Sequence, residues 1–194
     1  AVDPEMLGRI FENLLAEQSD DTKEAARKNA GAFYTPRSVV SYMCRSTLMK
    51  HINTELKPEN SKTIIKRLLE TTVLDPACGC GNFLIITYRE LRLLEFKVIV
   101  TLQKLNKRIH HMDFLDISLF FKVNVDKFYG IEYEEFPARI AEVAMWLIDH
   151  QMNMYCSIET GEKLFRIPLI KSANIVYGNA LQIEWNSLLK KEAL

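Results

Sequence analysis

The amino-acid sequence predicts an α/β fold built on a mainly parallel, doubly wound β-sheet. Three short β-favouring runs end in polar residues, at Asp75, Glu132 and Asn179, and helical patterns follow the first two. Strands that alternate with helices are typical of parallel sheets, which bind ligands at the carboxyl ends of their strands. We therefore expect the three polar ends to face one crevice.

Two helices are predicted before the first strand. Asp3, Pro4 and Glu5 suit a helix start, since Asp can cap, Pro is tolerated in the first turn and an acid favours the positive end of the helix dipole. The polar run 19–29 predicts a solvated loop or arm, and a second helix over 37–51 ends before the break at 57–60. The apolar faces of these helices are Leu7, Ile10, Phe11, Leu14 and Leu15, and then Val39, Val40, Met43 and Leu48.

The later elements alternate between strand and helix. Residues 72–75 predict the first strand and residues 83–96 the helix after it, whereas residues 97–125 are apolar enough for helix or strand. The basic residues of that stretch indicate a solvated helix face rather than a DNA patch or a metal site. Residues 127–132 and 174–179 predict the second and third strands. The helix between them is built on Ile140, Val143, Ala144, Leu147 and Ile148.

Composition and charge narrow the class of protein. Lys and Arg balance Asp and Glu at 25 each, so no global positive field exists of the kind that free-standing nucleic-acid binders use. Four scattered cysteines do not form a secreted disulfide framework, and the lone pair Cys78 and Cys80 predicts no metal site. No segment approaches the ~18 apolar residues of a membrane span, so we expect a cytoplasmic protein without a membrane partner. Residues 1–60 are expected to form an N-terminal helical segment and residues 61–194 the α/β core.

The turn after the first strand carries the strongest chemical signal. Asp75 to Phe83 places a D-x-x-x-G-x-G pattern where a strand gives way to a helix, so glycines allow close ligand approach and helix N–H groups meet an anion. A carboxylate and an amine, as in methionine, suit backbone amides and an acid. Glu132 can accept hydrogen bonds from both ribose hydroxyls, or it can simply cap the next helix. Asn179 can bond an adenine ring edge or merely form a turn.

Two motifs together resemble one enzyme family. Gly31 to Arg37, which reads G-A-F-Y-T-P-R, lies upstream of Asp75 to Leu84, which reads D-P-A-C-G-C-G-N-F-L. The pair resembles the cofactor motifs of adenine-N6 DNA methyltransferases, in the modification subunits of type I restriction systems and, more closely, the type IIG enzymes. The resemblance implies a class I methyltransferase fold, which is Rossmann-like, and S-adenosylmethionine as cofactor. It extends from about Pro4 to Trp185, nearly the whole chain.

The resemblance also implies roles for individual residues. The upstream motif and the glycine-rich turn would lie against the methionine end of the cofactor, the acid after the second strand would bind the ribose, and the next residue would flank the adenine. Cys80 stands where the family usually has Ser, and Gly178 to Leu181 matches the third-strand motif, which implies adenine recognition. The implied cofactor residues are Phe33, Tyr34, Thr35, Pro36, Asp75, Pro76, Ala77, Cys78, Gly79, Glu132, Tyr133, Asn179 and Ala180.

One departure from the family limits the expected activity. The catalytic N/D-P-P-Y/F motif, which should follow the third strand, does not occur before Leu194. We therefore expect no catalytic residue in this chain and no activity from it alone. The intact enzymes flip an adenine out of double-stranded DNA into an aromatic pocket. The implied partners are double-stranded DNA and restriction or specificity domains or subunits.

Other function classes remain open at this point. A non-catalytic binding or assembly module would use the cofactor only structurally. A methyltransferase acting on protein glutamine or RNA shares the glycine-rich turn, although the segment Phe33 to Pro36 argues against it. A nucleotide-dependent dehydrogenase would need G-x-G-x-x-G and an acid about 20 residues later, and the sequence has neither.

Overall fold

Three parallel strands form the sheet of this protein. The structure, a computed structural model, describes residues 4, 6–8, 10, 13, 35–52, 57–110, 121–160 and 172–189. The strands, which pair in the order β1-β2-β3, are β1 (Val73–Asp75), β2 (Phe128–Glu132) and β3 (Asn174–Tyr177). The helices are α1 (Arg37–Cys44), α2 (Lys50–Ile52), α3 (Ser61–Glu70), α4 (Asn82–His110), α5 (Glu135–Thr160) and α6 (Trp185–Leu189). The predicted α/β fold with a parallel sheet is confirmed.

The middle strand of the described sheet, β2, is the most buried. Phe128, Tyr129 and Ile131 are almost fully buried, and β1 and β3 pair with it on either side. A continuous apolar run is what a parallel strand needs when both of its faces are covered. Helix α4 connects β1 to β2, and α5 lies between β2 and β3 in the sequence. Both crossovers therefore have the form of a strand-helix-strand unit.

The main core joins the helices upstream of β1 to the sheet. Residues on both sides of position 60 belong to the same buried cluster, so the division of the chain at that point stays a prediction. No helix of the described ranges is long and apolar enough to cross a membrane. Representative members of the cluster are Met49, Ile52, Ile64, Leu84, Tyr88, Phe128, Ala144, Met145 and Ile148.

A buried ionic network crosses the interface between α4 and α5. Arg92, fully buried, donates to Glu95 Oε2 at 2.8 Å and to Asn153 Oδ1 at 2.7 Å, and its guanidinium lies 4.6 Å from the Phe121 ring centroid. The other Glu95 oxygen accepts the backbone N–H of Val123 at 2.9 Å. Burial opposes the charged guanidinium, but the negative groups around it raise the pKa of Arg92. The network ties the segment before β2 to α4.

The buried face of the first long helical segment differs from the prediction. Val40 is buried as expected, but Val39 and Met43 are 45% and 44% exposed. A π-helical turn over Arg45–Met49 follows α1 and adds a residue to the turn. The buried positions therefore step from Cys44 to Met49, a spacing of five, before they reach Ile52.

The apolar stripe of α5 was also predicted incorrectly in part. Val143 is 51% exposed, whereas Ala144 and Ile148 are buried as predicted. The buried face carries Ala138 and Ala141, small residues that allow close packing of the helix. Hydrophobicity alone ranks Val above Ala, so it selected a residue on the neighbouring face.

Other differences concern the extent of elements. Helix α4 is longer than predicted and takes in the ambiguous residues 97–110, and α3 had not been predicted. At the N-terminus residues 4, 6–8, 10 and 13 are helical. Leu7 packs on the core, but Ile10 is 48% exposed. Phe11, Leu14, Leu15 and the run 19–29 lie outside the described residues.

Candidate functional site

The carboxyl ends of the three strands meet at one edge of the sheet. Asp75 pairs with Gly130, and Glu132 pairs with Tyr177. The pairing continues past β1 and β3, because Cys78 N–H donates to the Ile131 carbonyl at 3.0 Å and Gly178 N–H donates to the Glu132 carbonyl at 2.8 Å. The turns after β1 and β3 thus flank the end of β2, as predicted.

The turn after β1 is shaped by two glycines. Gly79 and Gly81 have φ of 54° and 82°, in the left-handed region that favours glycine. A Cβ at Gly81 would lie 3.1 Å from Ala141 Cβ, so this glycine allows α4 to begin against α5. Among the described residues, nothing lies within 4 Å of the Cβ position of Gly79. Gly79 therefore presents open backbone to the crevice.

Glu132 joins the end of β2 to this turn. Its Oε2 accepts the Gly79 N–H at 2.8 Å, and its Oε1 accepts the Glu134 N–H at 3.0 Å. Two backbone amides therefore fix the carboxylate in orientation. Each carboxylate oxygen has a second lone pair, so the group can still accept hydrogen bonds from a ligand.

Two acids, Asp75 and Glu132, are close enough in the crevice for their charges to interact. Burial raises the pKa of Asp75, a hydrogen bond from Ala77 N–H at 3.1 Å opposes the shift, and the charge of Glu132 adds to it. Burial, and then the charges of Asp75 and Glu132, raise the pKa of the Cys78 thiol. The site therefore suits a ligand that brings a positive group to Asp75, and Cys78 is a neutral thiol.

Cys78 packs beneath the turn rather than into the crevice. A Cβ at Gly130 would lie 2.7 Å from Cys78 Sγ and 2.8 Å from Ile175 Cδ1. The absence of a side chain at Gly130 thus makes room for the thiol over the middle strand. No group of three or more potential metal ligands occurs within the described ranges.

The remaining predicted site residues lie in the turns that follow β1, β2 and β3. Pro76 and Ala77 are exposed on the turn, and Tyr133 is 67% exposed beside Glu132. Asn179 Oδ1 accepts the Leu181 N–H at 3.0 Å, so its side chain forms the turn that was the alternative to adenine binding. This bond uses the side-chain oxygen and not the two N–H donors of the amide. The Ala180 carbonyl accepts the Trp185 indole N–H at 2.8 Å.

The upstream motif reaches the site through a residue that the sequence analysis did not select. Asn82, the first residue of α4, donates from Nδ2 to the Thr35 carbonyl at 2.6 Å. Pro36 is the N-cap residue of α1, and its carbonyl accepts the N–H groups of Val39 and Val40. Phe33 and Tyr34 lie outside the described residues. The only sequence signal for Asn82 was its place in the D-P-A-C-G-C-G-N-F motif.

Residues 50–194 match the family described as MmeI, DNA-methyltransferase domain. The chain belongs to this family. A solved structure of the type IIL restriction-modification enzyme MmeI in complex with DNA is similar to it, with a TM-score of 0.80 and 40% sequence identity. That match covers 99% of this chain and 25% of the MmeI chain. The fold is thus a partial Rossmann-like methyltransferase domain.

Curated proteins of two organisms are similar to this MmeI-family chain. DNA methyltransferase A of Bacillus subtilis (strain 168) is 29% identical over 196 residues, which cover 96% of this chain and 20% of that protein. A protein of Methanocaldococcus jannaschii, named as a type II restriction enzyme and methyltransferase, is 25% identical over 209 residues, which cover 93% and 16%. The chain thus spans a fifth or less of these relatives, and it is homologous to DNA methyltransferases of restriction-modification systems.

Proposed function

We propose that the chain is the S-adenosylmethionine-binding part of a site-specific DNA adenine-N6 methyltransferase of a restriction-modification system. The observation that carries the proposal is the Glu132 carboxylate, held by the Gly79 amide at the carboxyl end of β2 beside the desolvated Asp75. Parallel sheets bind ligands at this end, and an acid after the second strand suits the two hydroxyls of a ribose. Membership of the MmeI family supports methyl transfer as the reaction class.

The residues of the crevice fit the chemistry of this cofactor. Glu132 would accept hydrogen bonds from the ribose hydroxyls, and Tyr133 would flank the adenine with an exposed ring. Asp75 would receive the ammonium of the methionine part, which supplies the positive charge that the acid pair lacks. The open backbone at Gly79 would allow close approach of the ligand. When bound, S-adenosylmethionine supplies a methyl group on a positively charged sulfur.

Other residues would complete the proposed cofactor site. The Asn179 side-chain nitrogen would donate to the adenine ring, with Ala180 beside it. Pro76, Ala77 and Cys78 form the turn that carries Gly79. The segment Phe33 to Pro36 would lie at the methionine end, because its Thr35 carbonyl is bonded to the helix that begins after the turn.

The DNA substrate and the target atom belong to the proposal for the whole enzyme. The similar MmeI structure contains DNA, which supports double-stranded DNA as the partner. Transfer to adenine N6 would need the N/D-P-P-Y/F motif, whose side chain and backbone carbonyl hydrogen-bond the target amino group, and this sequence lacks it. We propose that this motif, a target-recognition region and any nuclease lie outside the 194 residues. A cytoplasmic location would follow from a DNA substrate.

Isothermal titration calorimetry of the chain with S-adenosylmethionine tests the cofactor assignment. Each charge-assisted hydrogen bond contributes about 1.5 to 3 kcal/mol, so Glu132→Ala should weaken binding at least 10-fold. Glu70→Ala is the matched control, because Glu70 is an exposed glutamate on α3 that forms an ion pair with Lys66 at 3.8 Å. NAD should produce no binding heat. Cofactor binding that survives Glu132→Ala in a folded chain would remove the ribose role.

The methylated base needs a separate experiment. A longer natural protein that contains this sequence should be incubated with duplex DNA and labelled cofactor. Nucleoside analysis by mass spectrometry then distinguishes N6-methyladenine from methylated cytosines. Label recovered only on cytosine would contradict the adenine assignment while leaving the cofactor site intact.

A further inference from the structure

Asn82 connects two segments that are far apart in the sequence. Its side chain donates from Nδ2 to the Thr35 carbonyl at 2.6 Å, across 47 residues. Thr35 precedes Pro36, and a residue before proline is restricted to extended backbone. The bond therefore anchors a stiff dipeptide, directly after Phe33 and Tyr34 in the sequence.

The backbone around Asn82 is itself fixed. Gly81 N–H donates to the Cys78 carbonyl at 2.8 Å, and the Gly81 carbonyl accepts the Ile85 N–H at 2.9 Å. Gly81 also packs against Ala141, which leaves little room for movement. Asn82 thus follows a rigid turn, and its side chain holds Thr35 at a fixed position relative to that turn.

The second polar atom of the Asn82 side chain shows that this bond has a cost. Within the described part of the chain, the buried Oδ1 atom has no hydrogen-bond partner. An unpaired buried acceptor is unfavourable, and such an atom in a native structure needs an explanation. Gly81, whose carbonyl accepts the Ile85 N–H, occupies the N-cap position of α4, so helix capping does not require an amide at Asn82, where Asp, Ser or Thr could also stand. At neutral pH Asp has nearly the shape of Asn but no donor, and Ser and Thr have a donor on a shorter side chain. The feature particular to Asn82 is therefore its Nδ2 donor.

We propose that Asn82 is a positioning residue for the cofactor site. It acts through the Thr35 carbonyl, so that Thr35 and Pro36 are held beside the glycine-rich turn at the methionine end of the cofactor. The proposal rests on the proposed function, since it assumes that S-adenosylmethionine occupies the crevice. It assigns no contact between Asn82 and the cofactor itself.

Asn82→Asp separates this role from a contribution to folding. Asp has nearly the same shape but lacks the donor, and it places a negative charge at a helix N-terminus, where acids stabilise. The thermal midpoint should therefore stay level or rise. S-adenosylmethionine carries a net positive charge, so a new carboxylate near its site would by simple electrostatics favour binding. The positioning role instead predicts affinity weakened about 3- to 10-fold, the size of one neutral hydrogen bond.

A double-mutant cycle measured by calorimetry identifies the path of the effect. In the double variant Asn82→Asp with Pro36→Ala, the loss of affinity should be well below the product of the single losses, because both changes act on Thr35 and Pro36. Combined with Tyr133→Ala, which removes an exposed ring proposed to flank the adenine, Asn82→Asp should give close to the product of the single losses. The positioning role would be overturned by losses that multiply in both cycles, or by an unchanged affinity of Asn82→Asp. In either case, binding by the wild-type chain would still support the cofactor site. No binding by the folded wild-type chain would overturn both proposals.

Discussion

Replacing Asp75 with Asn should stabilise the protein and weaken the cofactor site at the same time. Asn keeps an oxygen that can accept the Ala77 N–H bond, now 3.1 Å long, but it removes a partly buried charge that interacts unfavourably with Glu132. Relief of such strained functional positions commonly contributes about 0.5 to 2 kcal/mol. In a domain of this size, that corresponds to a rise of about 1 to 8 °C in Tm.

The cofactor affinity should move in the opposite direction. Asp75 is the proposed partner of the methionine ammonium, and loss of a charge-assisted hydrogen bond costs about 1.5 to 3 kcal/mol, or about 10- to 150-fold in Kd. Circular dichroism melting measures the first effect and calorimetric titration the second. A lower Tm, with the variant still folded, would refute the argument that burial and the charge of Glu132 disfavour the ionised form of Asp75.

The pH dependence of stability has a defined sign. The folded-state pKa of Asp75 lies above its ordinary value of 3.8, so the folded state binds this proton more tightly than the unfolded state. The contribution of this carboxyl to stability therefore falls as the pH rises from the ordinary to the raised pKa. The Tm advantage of Asp75→Asn should grow through that window and stay constant above it. An advantage that shrinks with rising pH would contradict the assignment.

Three further predictions follow from packing and burial. Gly130→Ala should destabilise the fold by about 1 to 3 kcal/mol in urea melts, because its Cβ meets Cys78 Sγ and Ile175 Cδ1, and Ile175→Val should recover part of the loss. Glu95→Ala should cost about 3 to 5 kcal/mol in the same assay, because it leaves the buried Arg92 without its ion pair. Iodoacetamide at pH 8 should alkylate Cys80 before Cys78 in peptide mass spectra, because Cys78 is buried and its thiol pKa is raised.

Each of these results has an informative opposite. A neutral Gly130→Ala would show that the β2 backbone shifts at little cost. A Glu95→Ala variant with wild-type stability would mean that the ionic network adds nothing beyond its packing. Early alkylation of Cys78 would place its thiol in the crevice rather than beneath it. Glu142→Ala, at a half-exposed position of α5 that is ion-paired with Arg139, is a suitable control.

The parallel sheet, and the edge at which Asp75 and Glu132 meet, could be predicted from the alternation of strand and helix patterns and from the polar residues that end the strands. A β-favouring run, an acid and a glycine turn are local features, and the sheet then brings their ends together. Asp75 and Glu132 were therefore correctly expected at one edge, and their link through the Gly79 amide is the geometric consequence.

Other features depend on information that a sequence pattern does not contain. The π-helical turn after α1 changes the spacing of buried residues from four to five, and no residue type announces it. Val143 was misassigned because the face of α5 that packs closely is selected by the small size of Ala138 and Ala141. Asn82 was missed because its partner is a carbonyl 47 residues away, which only the fold identifies.

The role of the crevice as a cofactor site is tested most directly by titrating S-adenosylmethionine into the 194-residue chain and into its Glu132→Ala variant. Both proteins must first show the same folded circular dichroism spectrum. The structure leads us to expect saturable binding by the wild-type chain and at least 10-fold weaker binding by the variant. Equal affinities, or no binding by a folded wild-type chain, would contradict the assignment of Glu132 and its neighbours to the cofactor.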